Sequence, residues 1–165
     1  MKVLAPQGDA GLVGEFATPS GLGFIALLEA FRSTGGTAPG EIVERLLEEH
    51  RVGNALSLAK LIHTGQVFGF AWRTCLWIPM FQFDAYDLAP KSSAQRVRSA
   101  LPRLWSGWTV ASWFAAANAR LDGHSPADSL DADLGAVVRA AQPMDAFEEG
   151  LFPRAPVATE VAAIA

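Results

Sequence analysis

The chain has 165 residues, of which 50% are hydrophobic and 18% are charged, and its formal net charge is −4. This length can bury a real core, as one domain or as two small domains packed together. The negative balance excludes a global basic field that would attract nucleic acid or anionic lipid. A lone cysteine, Cys75, excludes an internal disulfide and favours a cytoplasmic location. The longest charge-free run, residues 104–119, is too short and too polar to cross a bilayer, so no membrane contact is expected.

The first part of the chain predicts a flexible arm followed by three helices. Residues 1–19 are glycine-rich and aperiodic, which is typical of a loose arm. Ser20 is expected to cap a helix over 20–32, and Thr37 is expected to cap a second helix. A third helix is predicted over 55–63, after the turn signal Gly53-Asn54. The inward residues would be Leu22, Ile25, Leu28 and Phe31 in the first helix, and Ile42, Val43, Leu46 and Leu47 in the second.

Large and small side chains then alternate over residues 67–72, which predicts a strand. Arg73-Thr74 would form a turn, and residues 75–78 the returning strand before Pro79. The aromatic side chains concentrated here are expected to form the core that joins the two halves of the chain; they are Phe70, Trp72, Trp77, Phe81 and Phe83.

Helices followed by a hairpin form the outline of a winged helix-turn-helix over residues 39–83, in which helix 55–63 would enter a major groove. The candidate DNA contacts are Asn54, Ser57, Lys60 and His63, with Arg73 at the tip of the wing. Residues 38–63 carry more acidic than basic side chains, so phosphate attraction would be weak. A structural three-helix unit without a DNA-binding role is the alternative.

The rest of the chain predicts helices over 92–105, 107–121, 125–130 and 132–141, with a break at Pro102. The central helix, 107–121, has one apolar stripe made of Val110, Trp113, Phe114, Ala117 and Leu121. Trp108, Ala111 and Ala115 lie on its opposite side. A helix that is apolar on two sides is either central to its domain or covered by a partner.

Residues that could support catalysis or metal binding are few. His50, His63 and His124 are far apart in the sequence and form no ligand pair. Asp131-Ala-Asp133 predicts a helix cap rather than a calcium loop. No glycine-rich phosphate loop or nucleophile elbow is present. We therefore expect no enzyme activity, no catalytic residue, no metal and no cofactor.

Two segments resemble the Xre/MbcA/ParS family of antitoxins. The first is Ile78-Pro79-Met80-Phe81-Gln82-Phe83-Asp84, which is similar to the family's Phe-Pro-x-Phe-Gln-Phe segment. The second runs from Trp108 through Asn118, Gly123 and Pro126 to Leu130, and several fixed positions match the family's order. Ala117 stands where the family usually has proline, which predicts that the helix continues one turn further.

The resemblance implies an antitoxin-like, non-enzymatic protein that neutralises a partner toxin, typically an NAD-consuming RES-type enzyme. It also implies homo-oligomers and repression of the protein's own operon. The expected partner-binding residues are Trp108, Ala111, Ala115 and Asn118, with Phe147, Glu148 and Glu149 reaching into the enzyme cleft. Alternatives are a DNA-binding transcriptional regulator and a dimeric structural module without a toxin partner.

The sequence as a whole predicts a mainly α fold with four parts. Residues 1–19 are the flexible arm, and residues 20–86 are a helix-turn-helix-like unit with a small β-hairpin. Residues 87–150 are a helical, toxin-binding-like domain, and residues 151–165 are a tail.

Overall fold

A computed structural model describes residues 19–50 and 56–143. The fold is predominantly helical with a small three-stranded antiparallel sheet, so the mainly α prediction is confirmed only in this coarse form. In chain order the elements are α1 Gly21–Ala30, β1 Thr37–Pro39, α2 Gly40–Glu49, α3 Leu58–His63, β2 Phe70–Trp72, β3 Cys75–Pro79, α4 Ser92–Ala100, α5 Gly107–Ala115, α6 Pro126–Ser129 and α7 Leu134–Ala141. Short 3-10 turns occur at Arg32–Thr34, Met80–Gln82 and Ala119–Leu121.

The sheet has the strand order β1-β3-β2. The predicted hairpin is confirmed, because Trp72 pairs with Cys75 across the turn and Arg73 adopts a left-handed backbone with φ 55°. Its first strand is shorter than the predicted 67–72, since β2 begins only at Phe70. Strand β1, which lies outside the hairpin, was not predicted. Thr37 in β1 pairs with Pro79 in β3, and α2 begins only at Gly40, so the prediction that Thr37 caps a helix is wrong.

Helix α1 begins where it was predicted and Phe31 is buried as expected, but the helix itself is rotated relative to the prediction. The Ser20 side chain accepts a hydrogen bond from the Gly23 N–H at 3.0 Å, which confirms the cap. The expected inward residues Leu22 and Ile25 are 80% and 62% exposed. The buried residues are Leu27 and Phe31, because Phe24 stacks on Trp72 with ring centroids 5.2 Å apart and thereby fixes the rotation of the helix.

Two hydrophobic clusters form the interior. The main core joins α1, the hairpin and helices α4 to α7 through residues such as Phe31, Phe70 and Phe114. The second cluster fills the space among α2, α3 and β3 and consists of Val43, Leu47, Leu58, Leu61, Val67, Ile78 and Phe83. Ile42, expected inward on α2, is 41% exposed. The main core contains residues from both sides of residue 86.

Helices α4 and α5 are both shorter than predicted. The break before Pro102 is confirmed, since α4 ends at Ala100 and Leu101 is extended. Helix α5 ends at Ala115, and Ala116 is extended with ψ 143°, so the prediction of a continuous helix over 107–121 is wrong. Within the described ranges, no helix combines the length and the apolar character that crossing a membrane requires.

Side-chain bonds tie earlier parts of the chain to the last helices. The Ser33 hydroxyl donates to Asp128 Oδ1 at 2.7 Å, and Lys91 Nζ lies 2.7 Å from Asp131 Oδ2. Arg120 Nη1 donates to the carbonyls of Ala140 and Gln142 at the end of α7, at 3.4 and 3.2 Å. The exit of α7 is therefore held beside the turn that follows α5.

Candidate functional site

The structure corrects the expected partner face on α5. Trp108, Ala111 and Ala115 are 5%, 0% and 8% exposed, and all three belong to the main core. Trp108 makes edge contact with Phe70 at 5.7 Å, so the hairpin and not a second protein covers this side of the helix. Of the two alternatives left open for a doubly apolar helix, the structure shows the one in which the helix is central. Phe114 is fully buried, whereas Trp113 is half-buried.

Each signature position in the turn after α5 has a structural role. The Asn118 N–H donates to the His124 carbonyl at 3.1 Å, and the Asn118 side chain accepts from the Arg120 N–H at 2.9 Å. Gly123 has φ 82°, a left-handed conformation that favours glycine. Ser125 caps α6 by accepting from the Asp128 N–H at 3.1 Å. Leu121 and Leu130 enter the main core, and Asp133 caps α7.

The exposed part of this segment is the turn itself. Most residues from Ala117 to His124 are exposed, whereas Asn118 is half-buried and Leu121 is buried. Of the expected partner-binding residues on the helix and turn, only Asn118 therefore lies at an accessible surface. Phe147, Glu148 and Glu149 lie outside the described residues, as does the DNA-contact candidate Asn54.

The remaining DNA-contact candidates surround α3 and the hairpin turn. Lys60 and His63 are exposed one turn apart on the same helix face. Ser57 caps α3 by accepting from the Lys60 N–H at 3.3 Å, so its hydroxyl already has a structural role. Arg73 is exposed at the hairpin turn, with its guanidinium carbon 5.8 Å from the centroid of the Trp72 ring. Helix α3 ends at His63 and is followed by the left-handed Gly65, where the Gln66 N–H bonds the Leu61 carbonyl in a Schellman arrangement.

Sequence reasoning missed the role of Gln82. Its side chain is 1% exposed and accepts from the Phe68 N–H at 2.8 Å. The same amide donates to the carbonyls of Phe68 and Pro79, both at 2.9 Å. Gln82 thus satisfies both backbone groups of a residue that pairs with no strand, and it fixes the segment before β2.

An open groove lies between α2, α3 and β3, with a volume of about 650 Å³. Its apolar part includes Leu58, Ile62 and Leu76. Three carboxylates, Glu41, Glu44 and Glu48, recur along one side of α2, and Arg45 lies among them. Glu44 Oε2 accepts a hydrogen bond from the Leu58 N–H at 2.7 Å, which ties α2 to the start of α3. We call this surface the acidic groove.

A second cleft, of about 670 Å³, lies where the end of α3 meets α4 and the start of α5. Its ionisable lining residues are His63, Arg98 and Arg103, and none of the described residues that line it is an aspartate or a glutamate. Phe68 and Val110 from the main core form part of its wall. At this wall a Cβ on Gly107 would collide with the carbonyl oxygen of Gly69, so the two backbones touch. We call this surface the basic cleft.

One arginine of the basic cleft lies in a partly desolvated position. Arg98 is half-buried, and burial lowers the pKa of its guanidinium. The two ion pairs among the described residues, Arg32 with Glu29 and Lys91 with Asp131, do not involve it. In those same ranges no three His, Cys, Asp or Glu side chains are grouped as metal ligands would be.

The comparisons with known proteins give no identification. No protein-family model matches the chain, and neither the curated proteins nor the solved structures contain a match.

Proposed function

We propose that this chain is an antitoxin-like, non-enzymatic protein that binds and neutralises a partner toxin through its C-terminal helical part. The expected partner is a RES-type, NAD-consuming enzyme. The observation that supports the proposal is the turn after α5, where Asn118, Gly123 and Ser125, which belong to the segment that resembles the family, bond or bend the backbone. The homo-oligomer and the cytoplasmic location expected from the sequence belong to the same proposal.

The burial of Trp108, Ala111 and Ala115 changes which surface would meet the partner. The accessible part is the exposed turn from Ala117 to His124, including Asn118. Arg120 holds the carbonyl of Gln142 beside this turn, so the chain leaves α7 next to it. In this proposal the same partner also meets Phe147, Glu148 and Glu149, which follow α7 in the sequence.

Co-expression with a RES-type toxin tests the proposal. The full-length chain should restore growth, and a chain that ends at Pro143 should restore it less or not at all. Ending at Pro143 retains the Gln142 carbonyl that Arg120 binds, so the helical part is kept intact. Equal rescue by both chains would remove the C-terminal segment from the mechanism. If neither chain restores growth, although circular dichroism shows that both are folded, the antitoxin proposal is contradicted.

A second candidate function is DNA binding by a winged helix-turn-helix formed by α2, α3 and the hairpin. The supporting observation is the element order β1-α2-α3-β2-β3 with strand order β1-β3-β2, which is the connectivity of that motif. A winged helix-turn-helix needs exposed side chains on its second helix and wing to contact DNA, and the exposed candidates are Lys60, His63 and Arg73.

Binding to the protein's own upstream DNA tests this candidate. A Lys60→Ala, Arg73→Ala double variant should weaken binding and flatten its dependence on salt. Arg139, which is exposed on α7 and lines neither surface beside α3, provides the control as Arg139→Ala. If the parent protein does not bind that DNA even at low salt, the regulator candidate is excluded.

A further inference from the structure

The basic cleft contains a positive charge that the described part of the chain does not neutralise. Arg98 is half-buried there, and among the described residues no side-chain hydrogen bond or ion pair reaches its guanidinium. Arg103 and His63 line the same cleft and are exposed. A guanidinium stays protonated even when partly desolvated, so its charge is best compensated by an anion from outside.

The surroundings of the cleft define the chemistry of that anion. With no carboxylate in the described lining, a negatively charged group entering the cleft meets only favourable or neutral neighbours. Arginine presents a planar set of donors that matches the oxygens of a phosphate group. The cleft is open to solvent on the side of Arg103, so a phosphate attached to a larger molecule can enter.

The position of the cleft favours one source of phosphate. The cleft adjoins the end of α3, where His63 also belongs to the exposed face that carries Lys60. The acidic groove uses α3 through Leu58 and Ala59, and its glutamates would repel a polyanion from that direction. A duplex that follows α3 would therefore pass over α4 and the start of α5 rather than over α2.

We propose that the basic cleft binds a backbone phosphate of duplex DNA through Arg98 and Arg103, beside α3. This inference rests on the second candidate function above and adds to it a contact from the C-terminal half of the chain. It makes the two halves of the molecule joint parts of one nucleic-acid surface, although residues 38–63 alone are acidic.

Fluorescence anisotropy of a labelled duplex from the upstream region tests the proposal with the full-length chain. An Arg98→Gln, Arg103→Gln double variant should bind about tenfold more weakly at low salt, and the slope of log affinity against log salt should fall by about one. Arg96→Gln is the matched control, because Arg96 is exposed on the same helix but does not line the cleft. Its affinity and its slope should equal those of the parent.

The single variant Arg103→Gln tests the same contact without disturbing the fold, since Arg103 is exposed and its replacement leaves the core unchanged. A parent that binds DNA while both cleft variants bind equally well would overturn this inference and leave the DNA-binding candidate standing. A parent that does not bind DNA at all would overturn both.

Competition with inorganic phosphate distinguishes a DNA backbone phosphate from a free phosphate ion as the ligand of the basic cleft. At the same ionic strength, low-millimolar phosphate should displace the duplex no better than chloride does. If inorganic phosphate stabilises the parent but not the double variant against thermal unfolding, while both proteins bind the duplex equally well, the cleft is a site for free phosphate, and the proposal of a DNA-backbone contact is overturned.

Discussion

The acidic groove and the basic cleft both use α3 as a wall and share Ile62, yet they differ in charge and in what supports them. The acidic groove carries three glutamates and lies against Leu58 of the second cluster. The basic cleft carries two arginines and a histidine and lies against Phe68 and Val110 of the main core. A net charge of −4 therefore describes neither surface. What decides the field around α3 is which distant residues the fold brings to each side of the helix.

The largest loss of stability is expected from Gln82→Glu, which would disturb the wall of the basic cleft and not the acidic groove. Gln82 holds Phe68 in that wall. A carboxylate would face the carbonyls of Phe68 and Pro79 without a donor, and the loss of stability should be about 3–5 kcal/mol. A chemical denaturation curve measures it. Gln66→Glu, at a site where the amide reaches only the Thr64 hydroxyl, should cost much less.

The stability of the Gln82→Glu variant should depend on pH in a defined direction. A protonated carboxyl at position 82 can still donate one hydrogen bond, so the folded state would bind a proton more readily than the unfolded state. The free energy of unfolding of the variant, relative to the parent, should therefore fall as the pH rises above about 4. A difference between the two proteins that stays constant from acid to neutral pH would contradict this account of Gln82.

The next effect is expected at the contact of Gly107 with Gly69. Gly107→Ala places a Cβ against the Gly69 carbonyl, and because both sides of the contact are backbone, the cost should be about 1–3 kcal/mol or more. Gly21→Ala is the control, since its Cβ would meet open space at the start of α1. Thermal melts should show a clear drop for the first variant and none for the second; equal melts would show that the basic cleft wall can give way.

A smaller effect is expected in the acidic groove. Glu44→Ala removes the acceptor of the Leu58 N–H and should cost about 1 kcal/mol by loosening the start of α3. Glu48→Ala removes the same charge from an exposed position in the last turn of α2 and should stay within about 0.5 kcal/mol of the parent. Denaturation midpoints distinguish the two, and equal values would mean that the Glu44 bond contributes nothing to stability.

The smallest effect is expected on DNA affinity, when the charge of the acidic groove is reduced. A Glu41→Gln, Glu48→Gln double variant should bind duplex DNA about two- to fivefold more tightly than the parent, with the gain disappearing as salt screens the groove. Glu29→Gln with Asp122→Asn removes two exposed charges that line neither surface and is the control. An equal gain in both proteins would show that total charge, not its location, sets the affinity.

Short-range features of this fold could be predicted from the sequence. The caps at Ser20, Ser125 and Asp133 each need one side chain and an N–H three residues away. The left-handed Gly123 and the hairpin turn at Arg73 are equally local. Such features depend on few residues, so the pattern contains enough information to place them.

Features that depend on distant partners could not be predicted. Helix α1 is apolar on nearly every side, so periodicity could not choose between Leu22 and Leu27 as the inward residue; the stacking of Phe24 on Trp72 decides it. Thr37 enters a strand only because β3 offers it a partner. Helix α5 ends early because bonds made by Asn118 outweigh the helical preference of the alanines before it.

The two surfaces beside α3 could be predicted only in part. The glutamates of the acidic groove repeat along α2 and are visible in the sequence. Arg98 and Arg103 lie more than thirty positions after α3 and follow no motif that links them to His63. Gln82 gave no signal beyond its place in a segment that resembles a known family, because its partners are backbone groups of Phe68 and Pro79.

The single cysteine of the chain supplies a spectroscopic reporter without any substitution. Cys75 is exposed at the start of β3 and lines the acidic groove, but it does not line the basic cleft. A fluorophore or spin label attached to its Sγ would therefore respond to a molecule that enters the groove, and would not be displaced by one that enters the cleft. In a labelled preparation of the natural sequence, the occupancy of the acidic groove can therefore be read without interference from a molecule in the basic cleft.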